Sequence, residues 1–299
     1  MGLFMKVLFF SNGARGEQGA LLRTCRTAAR TGAEVTVLGV VDEVSTNDPL
    51  LQRNINRIQK TLIREREAEL DELIDSLGGV EGPRPKVNRV VVPGRDYIEA
   101  VRFARQGRFE LLVSAAKSED SITGALFGST DLRVIHYADC PVLVLKSSRR
   151  RKLGNILVAI DPHGSAGQGI SLNDRLLKVS ATLAEQEGAS LHLLHVHEKL
   201  GKGEDIAALE AARKAEAVTK LRALASPYDD IHEHVSKGKP ASVIMKFVRD
   251  NDIDLLVMGN VARSGVPGLL VGNTAERVLG HVDCSVLVIK PDDWQSPLV

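Results

Sequence analysis

The sequence predicts an α/β protein of two doubly wound units, each a five-stranded parallel sheet covered by helices, and three observations carry that prediction. First, the chain repeats itself. "FELLVSAAKSEDSITGALFGSTDLRVIHYADCPVLVLK" (Phe109 to Lys146) lies without a gap over "IDLLVMGNVARSGVPGLLVGNTAERVLGHVDCSVLVIK" (Ile253 to Lys290), so that Gly128 pairs with Gly272 and Cys140 with Cys284, both 144 residues apart. Second, within each half short β-branched runs alternate with longer segments of helical period. Third, those runs are apolar throughout rather than alternating, which is the mark of strands buried on both faces.

In the N-terminal half the predicted strands are "VLFF", "VTVLGV", "NRVVV", "ELLVSA" and "PVLVLK". Between the second and third, Leu51, Ile55, Ile58, Leu62, Leu70, Leu73, Ile74 and Leu77 recur at spacings of three and four, interrupted only around Glu65 and Arg66. Such a stripe makes an amphipathic helix that covers a sheet. In the C-terminal half "NILVAIDP" matches "KVLFFSNG", "LHLLHVHEK" matches "VTVLGVVDE", and Gly238 in "HVSKGKP" stands opposite Gly94 in "VVVPGRD". The polar, basic stretch "SSRRRKLG", Ser147 to Gly154, has no periodicity and reads as a linker. The expected organisation is an N-terminal domain over residues 1–147, a linker over 148–154 and a C-terminal domain over 155–299. Right-handed crossovers wind each half into a doubly wound sheet, whose ligands bind at the carboxyl ends of the strands where the strand order reverses.

At 299 residues and 43% hydrophobic, the chain is long enough for two buried cores. Its formal net charge is +1, with 26% charged residues of both signs intermixed, which gives no reason to expect a nucleic-acid groove or an anionic membrane surface. The start, "MGLFMKVLFFSNGARG", lacks the order of a signal peptide, and no apolar run approaches bilayer length. Three cysteines, Cys25, Cys140 and Cys284, without CxxC spacing, fit a reduced cytoplasmic protein.

The loop after the fourth strand of the C-terminal half holds the main functional candidates. Leu255 to Met258 form the strand, Gly259 ends it, and Gly272-Asn273-Thr274 precede "AERVL", a predicted helix. Two readings stay open. Unpaired N–H groups at a helix start hold a phosphate, with Asn273 and Thr274 beside it, or the same two residues simply cap the helix.

These motifs resemble the universal stress protein family, whose nucleotide-binding members carry G-x-x-G, nine residues, then G-[ST] after the fourth strand. They also carry an aspartate ending the first strand and a valine near the end of the second. Here "ILVAID" supplies Asp161, "LLHV" supplies Val196, and "VMG" supplies Met258 and Gly259. The tail "GNTAERVLGHVDCSVLVIKPD" is similar to the tandem, E-type members. The resemblance implies an adenine-nucleotide alpha-hydrolase-like fold in each half and a pseudo-two-fold tandem packed through the last strands. It further implies a stress-response binding module that holds ATP or ADP, and a homodimer of tandem chains with a protein partner still to be identified. Asp161 is then expected near adenine or ribose, Val196, Met258 and Gly259 around the base, and Gly272, Asn273 and Thr274 at the phosphates. Ala262 replaces the family's second glycine and Asn273 its serine or threonine, while Arg263 keeps the G-R-[ST]-G tract. A methyl group obstructs a backbone that must lie against phosphate, so a weakened C-terminal site is implied. In the N-terminal copy Asn12 stands for Asp161, Ala115 and Ser118 stand for the first two glycines, and only Gly128-Ser129 survives. That half is expected to have lost ATP binding.

Two other readings compete. One is a module without nucleotide that works through protein or small apolar ligand contacts. The other is a metal-dependent hydrolase using zinc on His195, His197, His232 and His234, residues on what would be neighbouring strands. His192 lies on the same strand as the first two. The sequence has no nucleophile elbow or Walker lysine, and no residue stands out as a general base, so catalysis amounts at most to slow ATP hydrolysis. Asp229-Asp230 read as a turn after Pro227, Cys140 and Cys284 as small core residues, and the "RRRK" run at Arg149 to Lys152 as solvated linker.

Overall fold

A computed structural model describes residues 3–14, 16–45, 48, 51–78, 85–116, 128–146, 152–162, 169–198, 204–259, 273–291, 294, 296 and 298. They fall into two compact units, with residues 3–146, 296 and 298 in the first and 152–294 in the second. The first unit runs β1 (Lys6–Ser11), α1 (Glu17–Thr31), β2 (Glu34–Val41), α2 (Gln52–Asp75), β3 (Val87–Pro93), α3 (Asp96–Gln106), β4 (Leu111–Ala115), α4 (Ser129–Tyr137) and β5 (Val142–Leu145). Its strands pair in parallel in the order β3-β2-β1-β4-β5. The second unit repeats this with β6 (Asn155–Ala159), α5 (Gly169–Glu187), β7 (Ser190–His197), α6 (Glu204–Ala225), β8 (Ile231–Lys237), α7 (Pro240–Asp250), β9 (Leu255–Gly259), α8 (Asn273–Leu279) and β10 (Ser285–Ile289). The order is β8-β7-β6-β9-β10, again all parallel. Both units are therefore the doubly wound sheet that the sequence predicts.

The cores sit where the apolar runs place them. Leu8, Phe9 and Leu112 in the first sheet, and Ile156, Leu157 and Val158 in the second, are essentially inaccessible to solvent. Burying a side chain of this size contributes roughly 1.5–3 kcal/mol. The outer strands β3 and β8 differ. Their residues are exposed or half-buried along their whole length, because each has a neighbour on one side only. The apolar run "NRVVV" thus marks an edge strand rather than a buried one.

The helix expected over the long stripe is present and unbroken as α2. The interruption at Glu65 and Arg66 has a physical reason: Arg66 falls four residues after Leu62 and four before Leu70, on the stripe itself. Its guanidinium turns in over Gly39 of β2 and donates from Nη2 to the Ser11 carbonyl (3.0 Å) and to Ser11 Oγ (2.7 Å). A Cβ on Gly39 would lie 3.1 Å from Arg66 Cγ and from Leu70 Cδ1, so the glycine makes the room that the arginine fills. The start of the stripe is not covered by described residues, with Leu51 48% and Ile58 47% exposed.

The repeat extends to backbone strain. Gly94 and Gly238 end the turn after β3 and β8 with φ of +143° and +150°, and their N–H groups donate to the carbonyls of Val41 and His197, both at 2.9 Å. A side chain at either position is disfavoured by that φ. It would also meet Glu99 Cγ at 2.5 Å in the first unit and Val243 Cγ2 at 2.8 Å in the second. Gly94→Ala and Gly238→Ala are each expected to lower stability by about 1–3 kcal/mol, read as a shift in the urea midpoint. A variant as stable as the parent would contradict the equivalence of the two turns.

Candidate functional site

In the second unit the winding reverses between β6 and β9, and Asp161, Met258 and Gly259 lie on these strands or just beyond them. The ladder pairs Ala159 with Met258, so Ile160 comes level with Gly259 at the end of β9, and Asp161, two residues beyond β6, stands one position past it. Asp161 is half-buried, and its carbonyl accepts a hydrogen bond from Asn173 Nδ2 on α5 (3.0 Å). On the other side of β6, His195 of β7 is buried, and its Nδ1 donates to the Ile160 carbonyl (3.3 Å). The backbone that leads into Asp161 is thereby held from two directions, by residues to which the sequence reading gave no such role.

Val196 follows His195 on β7, half-buried and paired with Ser236 of β8. Met258 is buried within β9. Gly259 has a packing reason of its own, since a Cβ there would come within 2.7 Å of Leu172 Cδ2 on α5. Asn273 opens α8 and Thr274 lies half-buried in its first turn. Ala262, Arg263 and Gly272 lie outside the described residues, as does Ser118 in the first unit.

The matching crevice of the first unit, between β1 and β4, has different chemistry. Asn12 follows β1 and donates from Nδ2 across the crevice to the Ala115 carbonyl (3.1 Å), while its Oδ1 accepts the Ala14 N–H (3.1 Å). The amide, donor and acceptor at once, makes both bonds; an ionised aspartate in its place would be an acceptor only. On the α1 side, the Glu17 carboxylate is buried and accepts from Ser11 Oγ (3.0 Å) and the Gly13 N–H (2.6 Å), with Arg66 on the same hydroxyl.

The histidines do not form the set expected from sequence. In the parallel register His195 pairs with Val235 and His197 with Lys237, whereas His232 pairs with His192 and His234 with Leu194. Directly paired residues share a face and successive residues alternate. His195 and His197, with ring centroids 6.4 Å apart, therefore lie on the opposite face from His232 and His234. The grouping on one metal ion is corrected on that ground. Among the described residues, no group of three or more His, Cys, Asp or Glu side chains is arranged to hold a metal ion.

What the register assembles instead is His192, His232 and His234 beside Phe247 of α7. His192 Nδ1 lies 3.2 Å from His234 Nε2, and the His192 ring is 5.0 Å from that of His232. One nitrogen of the close pair must donate and the other accept, so the contact requires a neutral imidazole. Burial lowers the pKa of His192 below the ordinary 6.5, as do the neighbouring charges of His234 and His232. His234 is lowered by burial and then by His232. The unfolded chain therefore binds more protons than the folded one below about pH 6.5. The stability held above that pH is lost as the pH falls through it. The urea midpoint is expected to decline as the pH falls from neutrality through the ordinary histidine value of about 6.5 and below it, with a shallower decline in a His192→Phe/His234→Phe variant. Equal slopes would refute the assignment.

The remaining sequence candidates resolve simply. Asp229 and Asp230 lie in the turn before β8, with Asp230 at φ +55°. Cys284 is buried, Cys140 half-buried, and Cys25 is buried with its thiol pushed up to about 11 by desolvation, so it stays protonated and unreactive at neutral pH. Among the described residues, no helix is long and apolar enough to cross a membrane.

Two doubly wound parallel sheets, each with polar residues at its switch point, define a tandem α/β protein. The model of the universal stress protein family matches residues 4–146 and 152–290, and the chain belongs to that family, as a tandem member of the E type. It is 24% identical to universal stress protein E of Salmonella typhi over 100% of this chain and 98% of that protein. It is 26% identical to universal stress protein E of Escherichia coli K12 over 70% of each. Among solved structures it resembles a functionally unknown protein of Pseudomonas aeruginosa PAO1 (TM-score 0.73, 23% identity, 98% of this chain and 94% of that one). A universal stress protein of Archaeoglobus fulgidus DSM 4304 is also similar (TM-score 0.65, 18% identity, 96% and 99%).

Proposed function

We propose that the chain is a stress-response binding module whose second unit holds an adenine nucleotide, ATP or ADP, in the crevice between β6 and β9. The observation that supports this best is that Asp161 follows the carboxyl end of β6, one position past the level of Gly259 on β9, where the winding reverses. A carboxylate there accepts hydrogen bonds from ribose hydroxyls or the adenine amino group. The half-buried Val196 offers apolar surface for the base, the β9 backbone at Met258 and Gly259 runs alongside, and Gly272, Asn273 and Thr274 stand in sequence where phosphates are expected. The role is binding rather than catalysis, since the sequence carries neither a nucleophile elbow nor a Walker lysine.

The departures from the family pattern give a direct test. If the Ala262 methyl obstructs the phosphates, Ala262→Gly raises ATP affinity by about tenfold, the equivalent of ~1.4 kcal/mol. Equilibrium dialysis with labelled ATP measures it. An unchanged dissociation constant would remove Ala262 as the defect.

A further inference from the structure

We infer that the first unit carries its own anion: the carboxylate of Asp131 occupies the place in the β1–β4 crevice where a ligand's phosphate or carboxylate would otherwise sit, and closes that crevice to ligands. Asp131 lies in the first turn of α4 and is only 1% exposed. Three donors from three segments converge on it. The Gly128 N–H reaches Oδ2 at 3.0 Å, and Ser114 Oγ of β4 and Asn12 Nδ2 reach Oδ1 at 3.1 and 3.2 Å. Ser114 is fully buried, so its hydroxyl serves the interior alone. A helix start and a ring of donors attract an anion, and here the chain supplies one covalently.

The repeat makes the contrast. At the same 144-residue spacing, Asp131 becomes Ala275 and Ser114 becomes Met258, and in the aligned first strands Asn12 becomes Asp161. The internal anion and both side-chain donors of its cage are thus absent from the second unit, where only the Gly128 position is kept, as Gly272. The inference rests on the proposed nucleotide reading only for what the second crevice takes; the closure of the first stands on its own contacts. It implies that at most one crevice per chain is open to an anionic ligand.

The test is chemical rescue in the full-length chain. Asp131→Ala removes one carboxylate and leaves its three donors facing a space the size of formate. The variant's melting temperature falls, and increasing sodium formate, compared with sodium chloride at equal ionic strength, restores a large part of the loss in a saturable way. Formate leaves the parent no more stable than chloride does. A formate response equal in variant and parent overturns the proposal. Should Asp131→Ala not fold, Asp131→Asn serves: its amide turns an NH2 toward one of three donors, so melting falls while the shape is kept, and an unchanged melting temperature overturns the proposal equally. Neither readout uses nucleotide, so failure here is distinct from failure of ATP binding in the second unit.

Discussion

If ATP binds as proposed, it raises the melting temperature of the full-length chain, and Asp161→Ala is expected to abolish that rise. A carboxylate that accepts hydrogen bonds from a ligand contributes more than a neutral group, about 1.5–3 kcal/mol, or roughly ten- to a hundredfold in affinity. A ligand present at a hundred times its dissociation constant stabilises the folded state by about 2.7 kcal/mol. In a unit of this size that is a shift of roughly 5–10 °C, and a hundredfold weakening reduces it to near nothing. Asn12→Ala, the change at the aligned position of the first unit, should keep the ATP-induced shift, because the first crevice has no part in it. An ATP shift that survives Asp161→Ala but disappears in Asn12→Ala would place the ligand in the wrong half.

Phe9→Ala should cost about 3–5 kcal/mol in stability, a large share of the roughly 5–15 kcal/mol available to a domain. Phe9 is wholly buried at the middle of β1, paired with Val37 of β2 and Val113 of β4, and both neighbours are themselves almost inaccessible. Truncation leaves a void that a sheet bonded on both sides of β1 does not collapse to fill. Leu51→Ala, at a side chain 48% exposed, provides the contrast and should stay within about 0.5 kcal/mol of the parent. Urea unfolding with a common slope compares the two, and equal losses would mean that the core is not where the sheet places it.

Much of this architecture is legible in the sequence because it is written in local terms. Apolar runs with β-branched residues set the strands, the 144-residue repeat sets two units, and the paired Gly94 and Gly238 mark turns that only glycine tolerates. What is not legible depends on three-dimensional register. His195 and His197 look adjacent to His232 and His234 in sequence, yet the pairing of His192 with His232 turns the two sets to opposite faces. Arg66 reads as a flaw in an apolar stripe until Gly39, whose place in the second unit is taken by His195, is seen beneath it. Asp131 reads as an ordinary first-turn helix acid. Its cage draws on Asn12 and Ser114, which lie 119 and 17 residues away. The signal that would have found it is the repeat itself: Asp131, Ser114 and Asn12 all change together between the two copies.

The most direct measurement is the number of nucleotides bound per chain, by calorimetric titration of ATP into the full-length protein and its Asp161→Ala variant. One equivalent in the parent and none in the variant is the predicted result. No binding in the parent, or binding of the same strength in the variant, would contradict an adenine nucleotide held at the end of β6.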